Sequence, residues 1–168
     1  MKYLKLEGYR VVSLRGALKY VDPKIEPKRA DEVVKDRIRM IAANRSREFA
    51  WGQWDCILMA CSAVEAQTGV DPAAEYRGRY SDARGAAEAL RELGKRTLIK
   101  TVDAEFDRRP VGKARRGDLV MFEQSIGVCV GGAGLFVGEE RLTDAAGIPM
   151  RTGLVTIPRA FLTQAWTV

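Results

Sequence analysis

The stretch Phe49-Ala-Trp-Gly-Gln-Trp-Asp-Cys-Ile-Leu-Met-Ala-Cys-Ser-Ala-Val-Glu-Ala-Gln-Thr-Gly69 decides the fold of this chain. Two tryptophans, Trp51 and Trp54, flank Gly52 and Gln53, a spacing that predicts a tight, half-buried loop. Asp55 supplies a short carboxylate where a helix takes its N-cap acceptor. From there Ile57, Cys61 and Val64, with Leu58 beside them, fall at helical spacing and make one apolar face. Gly69 suits the left-handed residue that closes a helix. Cys56 then stands in the first turn, where free backbone N–H groups and the helix dipole favour a thiolate. The commoner role of such a thiol is packing, and desolvation by Trp54, Ile57 and Leu58 opposes ionisation. Cys61 and Cys129 lie inside apolar runs and read as packing residues.

The remaining composition narrows the chemistry. With 168 residues the chain makes one domain, long enough to bury roughly 70% of the surface its unfolded form exposes. Three irregularly spaced cysteines form neither a disulfide framework nor a zinc site, which fits a reducing compartment. Histidine is absent, so the commonest general base and metal ligand is missing, and no metal or cofactor is expected. The first ten residues interleave charges with apolar residues, unlike a signal peptide. No apolar run reaches the ~20 residues of a membrane span. Residues 1–48 hold 13 Lys/Arg against 7 Asp/Glu, while residues 49–168 hold 15 of each. Acidic residues interrupt the basic segment and base-stacking aromatic patterns are missing, which argues against nucleic acid and for an acidic protein neighbour.

Working outward from the central helix, residues 1–30 read as a basic N-terminal arm. It holds one or two short strands in residues 2–14 and a linker with Pro23 and Pro27. Residues 31–168 read as the domain proper. A helix from Asp31 to about Asn44 places Val34, Ile38 and Ile41 on its apolar face and Lys35, Arg37 and Arg39 on the other. Arg77, Gly78, Arg79 and Tyr80 set two guanidinium groups beside a phenol, a cluster suited to a carboxylate or phosphate and more commonly a structural clamp. Ser81 or Asp82 caps the next helix, whose small face is Ala83, Ala86, Ala87 and Leu90 and which Gly94 ends. Short β-type runs follow at Leu119–Phe122, Ile126–Val130, Leu135–Val137 and Gly153–Ile157, with Ala165–Val168 as an edge strand. Helices first and strands later predict an α+β domain, with helices on one side of a mostly antiparallel sheet. Trp51, Trp54 and Trp166 are expected to be buried in it.

Taken together, WGxxDC at a helix start, then GDLVMF and SIGVCVGG, resemble the NlpC-type, papain-like cysteine peptidases. The chain is more similar still to small phage and prophage tail proteins of unknown function related to them. That group carries FAWGxxDC, TGVDPAAxxRGRY, GAxxALRxLG, xRRGD and a terminal AWxV, so the resemblance spans roughly Asp31 to Val168.

This resemblance implies a nucleophile position at Cys56 and a base position at Ser125, with an orienting position on or near Val137. An oxyanion tyrosine position falls on Phe49. Serine does not usefully accept the thiol proton, and neither Val137 nor Phe49 can orient a base or donate a hydrogen bond. A surrogate base would have to come from Asp118, Glu123 or a partner chain, and nothing in the sequence singles one out. The resemblance therefore implies a degenerate, non-catalytic tail component near the tail tip, present in the bacterial host cytoplasm during assembly and then in the virion. Its partners would be other tail proteins, met through residues 1–30. The alternative is a cysteine peptidase or amidase acting on peptidoglycan stem peptides through Cys56. Trp51, Trp54, Asp55, Arg77, Arg79 and Tyr80 are the candidate binding residues in either case.

Overall fold

The computed structural model describes residues 30–139 and 152–168; the strands and linker expected in residues 1–29 lie outside them. Among the described residues, four α-helices precede the main strands: α1 (Ala30–Ala43), α2 (Cys56–Thr68), α3 (Ala83–Glu92) and α4 (Leu98–Glu105). Six strands follow: β1 (Arg108–Arg109), β2 (Leu119–Phe122), β3 (Ser125–Cys129), β4 (Ala133–Glu139), β5 (Thr152–Pro158) and β6 (Gln164–Trp166). They form one sheet in the order β1-β6-β2-β3-β4-β5, every pairing antiparallel. The α+β architecture is therefore as expected. No helix among the described residues is long and apolar enough to cross a membrane.

Side chains alternate across a strand, and the register separates two apolar layers. Leu119, Met121, Ile126, Val128, Leu135, Val137, Leu154 and Trp166 face α2 and pack on Met59, Ala60, Ala63 and Val64. Val120, Cys129, Phe136, Val155 and Ala165 face the other way, onto Ala114 and Leu162. Helix α2 is buried on more than the one face its spacing predicted. Leu58 and Cys61 pack outward against Ala73, Tyr80 and Ala89. A helix enclosed by sheet on one side and by a loop and α3 on the other must be apolar nearly all round. Asp55 caps it and Gly69, at φ 81°, closes it.

Several expectations need correction. Helix α1 is rotated from its predicted orientation: Val33 and Arg37 face inward, while Val34 and Ile38 are 44% and 58% exposed. The Arg37 guanidinium donates to the Arg116 carbonyl at 2.9 Å and to Gln67 Oε1 at 3.2 Å. Gln67 Nε2 in turn donates to the carbonyl of Gly117. Gly117 has φ 96°, and a Cβ there would lie 2.0 Å from Gln67 Oε1. A satisfied, buried polar network thus sets the rotation of α1 against the pull of its apolar stripe. The C-terminal strand is not an edge, because Arg108 and Arg109 pair with Trp166 and Ala165 outside it. Helix α3 ends at Glu92 with Leu93 as its cap, before Gly94, and the left-handed residue beyond is Arg96 at φ 72°. Helix α4 and strand β1 are not announced by periodicity; Thr97 starts α4 by accepting from the Lys100 N–H.

Asp118 joins the end of the helical half to the sheet. It is fully buried, and its carboxylate accepts from Arg109 Nη1 and the Arg115 N–H, both at 2.7 Å, and from the Val168 N–H at 3.3 Å. Removing one member of a buried ion pair leaves the other uncompensated. Asp118→Ala is expected to lower stability by about 3 kcal/mol or more, read from urea unfolding.

Candidate active-site region around Cys56

The loop ahead of α2 closes on itself through an Ala50–Trp54 bridge, with Trp54 N–H donating to the Ala50 carbonyl at 2.8 Å. Gly52 takes φ 68°, and a Cβ there would lie 1.9 Å from the Tyr80 carbonyl oxygen, so only glycine fits. Its own carbonyl accepts from the Gly78 N–H at 2.8 Å. Asp55, 1% exposed, uses both carboxylate oxygens. Oδ1 accepts from the Leu58 N–H at 3.1 Å as the helix cap; Oδ2 accepts from the Gly52 N–H at 3.0 Å and the Tyr80 hydroxyl at 2.6 Å. Burial, and then the hydrogen bond to Asp55, push the Tyr80 phenol far above its ordinary value. The Trp-Gly turn, the helix start and the Arg-Gly-Arg-Tyr segment are thus one interlocked unit.

Cys56 opens α2 with its residue half-buried. Burial raises its pKa above the ordinary value. The backbone N–H of Ile126 opposes that rise, the Asp55 charge adds to it, and the N–H groups of Ile57 and Cys56 itself also oppose it. Burial wins, so the group is a neutral thiol at pH 7. Burial pushes the interior Cys61 thiol up as well.

The structure disperses the other positions that the peptidase resemblance implies. Ser125 pairs with Phe122, and the register puts it on the face of Phe122 and Cys129, opposite to Ile126. A side chain at 125 therefore points away from the head of α2, which a base at the position implied by the resemblance would have to face. Its neighbour Gln124 instead shares a cavity wall with Cys56. Val137 is buried among the apolar residues facing α2. Phe49 is 42% exposed and packs edge-on against Trp51, ring centroids 4.9 Å apart. Asp118 is committed to Arg109. Glu123 sits exposed in the β2–β3 turn.

Among the candidate binding residues, Trp54 is 2% exposed, with the Arg47 guanidinium 4.4 Å from its ring. Trp51 is 38% exposed, against the expectation that it is buried. The tight Ala50–Trp54 bridge turns one tryptophan inward and leaves the other on the rim. Arg77 is the clamp: it pairs with Asp71 and reaches Ser62 Oγ at 3.0 Å, fastening the loop to α2. Arg79 is exposed and donates to the Glu75 carbonyl at 3.3 Å. Among the described residues, no group of three or more Cys, Asp or Glu is placed to hold a metal ion.

Sequence reasoning did not foresee the cavity beside Cys56. It encloses about 240 Å³ between α2, α3 and α4, walled largely by apolar residues including Leu58, Leu90, Val102 and Phe106. Its one sequence signal was the small face of α3, Ala83, Ala86 and Ala87, all of which line it. The Asp55 network carries its own prediction. Tyr80→Phe removes a hydrogen bond to a charged group and should cost about 1.5–3 kcal/mol. Asp55→Ala should cost more, because it removes the cap and strands the Gly52 N–H and the Tyr80 hydroxyl. Thermal or urea unfolding of the two variants gives the order.

No curated protein and no solved structure matches the chain. Residues 28–168, which include the whole Cys56 region and the sheet behind it, match the family described as "Domain of unknown function (DUF6950)". The chain belongs to that family.

Proposed function

We propose that this chain is a non-catalytic, peptidase-like domain that serves as a structural or assembly component of a phage tail, near the tail tip. The environment of Cys56 carries the non-catalytic part of this reading. A thiol at the head of a helix becomes a nucleophile when an adjacent base takes its proton. Here burial holds Cys56 protonated, the register turns position 125 to the far side of the sheet, and Val137 is core packing. Phe49, at the oxyanion tyrosine position, presents an apolar ring edge. Losing a base and an oxyanion donor together removes several kcal/mol of transition-state stabilisation. The tail assignment rests on the ordered motifs FAWGxxDC, TGVDPAAxxRGRY, GAxxALRxLG, xRRGD and AWxV, and on the basic segment of residues 1–30 as the part that meets other tail proteins. The chain would then reside in the host cytoplasm during assembly and in the virion afterwards.

One observation favours a second reading, a cysteine peptidase or amidase acting on peptidoglycan stem peptides. The N–H groups of Ile126, Ile57 and Cys56 itself each oppose the burial-driven rise of the Cys56 pKa, as donors to a thiolate would.

Thiol chemistry separates the two readings. A pKa above the ordinary thiol value of about 8.5 leaves little thiolate at pH 7. Under the assembly reading, iodoacetamide labels Cys56 no faster at pH 7 than it labels a cysteine in a short peptide, and the rate climbs through and beyond the ordinary thiol range. Neither the native chain nor Ser125→His hydrolyses a γ-D-glutamyl-diaminopimelate peptide above a Cys56→Ala blank, and the chain is found in purified particles. Turnover above that blank overturns the non-catalytic reading. Intact, infective particles assembled without the chain overturn the structural one.

A further inference from the structure

The cavity between α2, α3 and α4 is the feature that the assembly reading leaves unused. Folded interiors keep few voids larger than a water molecule, because the atoms lining a void lose their contact partners. Here about 240 Å³ stays open because Ala83, Ala86 and Ala87 of α3 present methyl groups where longer side chains would close the gap. A cavity of about 150 Å³ already takes a benzene ring, so this one has room for a single ring with a short chain attached. Trp51, Ala83 and Gln124 belong to the wall and are also exposed, so the space opens to solvent. A wall this apolar calls for an apolar body in whatever fills it.

The charge on the wall selects what that body carries. Among the described residues, Asp55 and Glu105 line the cavity and no Lys or Arg joins them. Exposed charges farther out, of both signs, face water and are screened by it. The positive end of α2 reaches the wall at Cys56, but Asp55 caps it. Glu105 is the last residue of α4, where the free carbonyls of the helix end add to the charge of its carboxylate. Both carboxylates are felt at the wall. Burial comes first in raising the Tyr76 phenol pKa, and the Glu105 and Glu75 charges follow. At Tyr80 burial is followed by the hydrogen bond and charge of Asp55. At Cys61 burial is followed by Asp71 and the opposing Arg77, which pair with each other. Trp51, Tyr76, Tyr80 and Phe106 also line the space, and the faces of such rings attract cations. An anion here would meet carboxylates with no counter-charge beside them, and a neutral molecule would gain nothing from them. We propose that this cavity binds a small amine with an apolar, one-ring body, the ring against the alanines of α3 and the ammonium at Glu105. Asp55 already accepts three hydrogen bonds, which leaves Glu105 as the pairing carboxylate. Binding of this kind uses no thiol chemistry and is independent of whether Cys56 reacts.

The test is a ligand-observed NMR titration of the full chain at pH 7 with phenethylamine, phenethyl alcohol, phenylacetate and butylamine. The first three are close in shape and differ in charge; the last keeps the ammonium without the ring. Phenethylamine is expected to bind about tenfold tighter than each of the other three. Glu105→Gln, which keeps the shape of the side chain, should weaken phenethylamine about tenfold and leave the alcohol unchanged. Ala87→Leu, which fills the cavity, should weaken the amine and the alcohol alike, again about tenfold. Ala83→Leu, at an exposed helix position, serves as the second cavity variant, and melting curves establish that the variants are folded. Absent binding of phenethylamine overturns the proposal, as does any other probe binding as tightly. So does an amine affinity indifferent to Glu105→Gln, or indifferent to both cavity variants, which would place the amine on the outer surface.

Discussion

A single buried carboxylate holds together the part of this protein that carries Cys56. Asp55 caps α2 through Leu58, fixes the Trp51–Trp54 turn through Gly52, and anchors the loop before α3 through the Tyr80 hydroxyl. A carboxylate taken this far out of water is tolerated only when donors replace its hydration, and three do. Gly52 makes the geometry possible, because the Tyr80 carbonyl occupies the space that a side chain would need. Position and orientation of Cys56, the next residue, follow directly.

Two further polar anchors do for the rest of the domain what Asp55 does for the loop. Arg37 and Gln67 bind α1, α2 and the Arg116–Gly117 turn into one cluster. Asp118 gathers Arg109, Arg115 and Val168 at the other end of the sheet. The apolar layers between these anchors provide most of the burial, but that force is non-directional. The hydrogen-bonded groups choose which way each helix turns, as the rotated α1 demonstrates: Ile38 is left in water so that Arg37 can be satisfied.

The same interlocking sets the environment of Cys56. Backbone N–H groups at the helix start and at Ile126 favour a thiolate, and burial, with the Asp55 charge, disfavours it; burial is stronger. What the arrangement leaves is space. The small side chains of α3 keep an apolar cavity open next to Cys56.

Much of the fold was legible from residues 49–69 and from the β-type runs after residue 116, because periodicity and caps are local properties. Asp55 as cap, Gly69 as terminator and five of the strands follow from neighbours in sequence. The Arg-Gly-Arg-Tyr motif showed that its residues belong together, but not that Arg77 and Tyr80 would be consumed by Asp71 and Asp55 while Arg79 stayed outside. Only the tertiary structure decided the rotation of α1, the outward turn of Trp51, the interior place of β6 and the face on which residue 125 falls. Each depends on a partner distant in sequence: Arg37 on Arg116, Gly52 on Tyr80, Trp166 on Arg108, Ser125 on the β2 register. The sequence by itself determined which residues needed burial or a hydrogen bond. Which partners met those needs, and which residues were left in water, was decided when the layers packed, because a chain this short cannot satisfy every local preference at once.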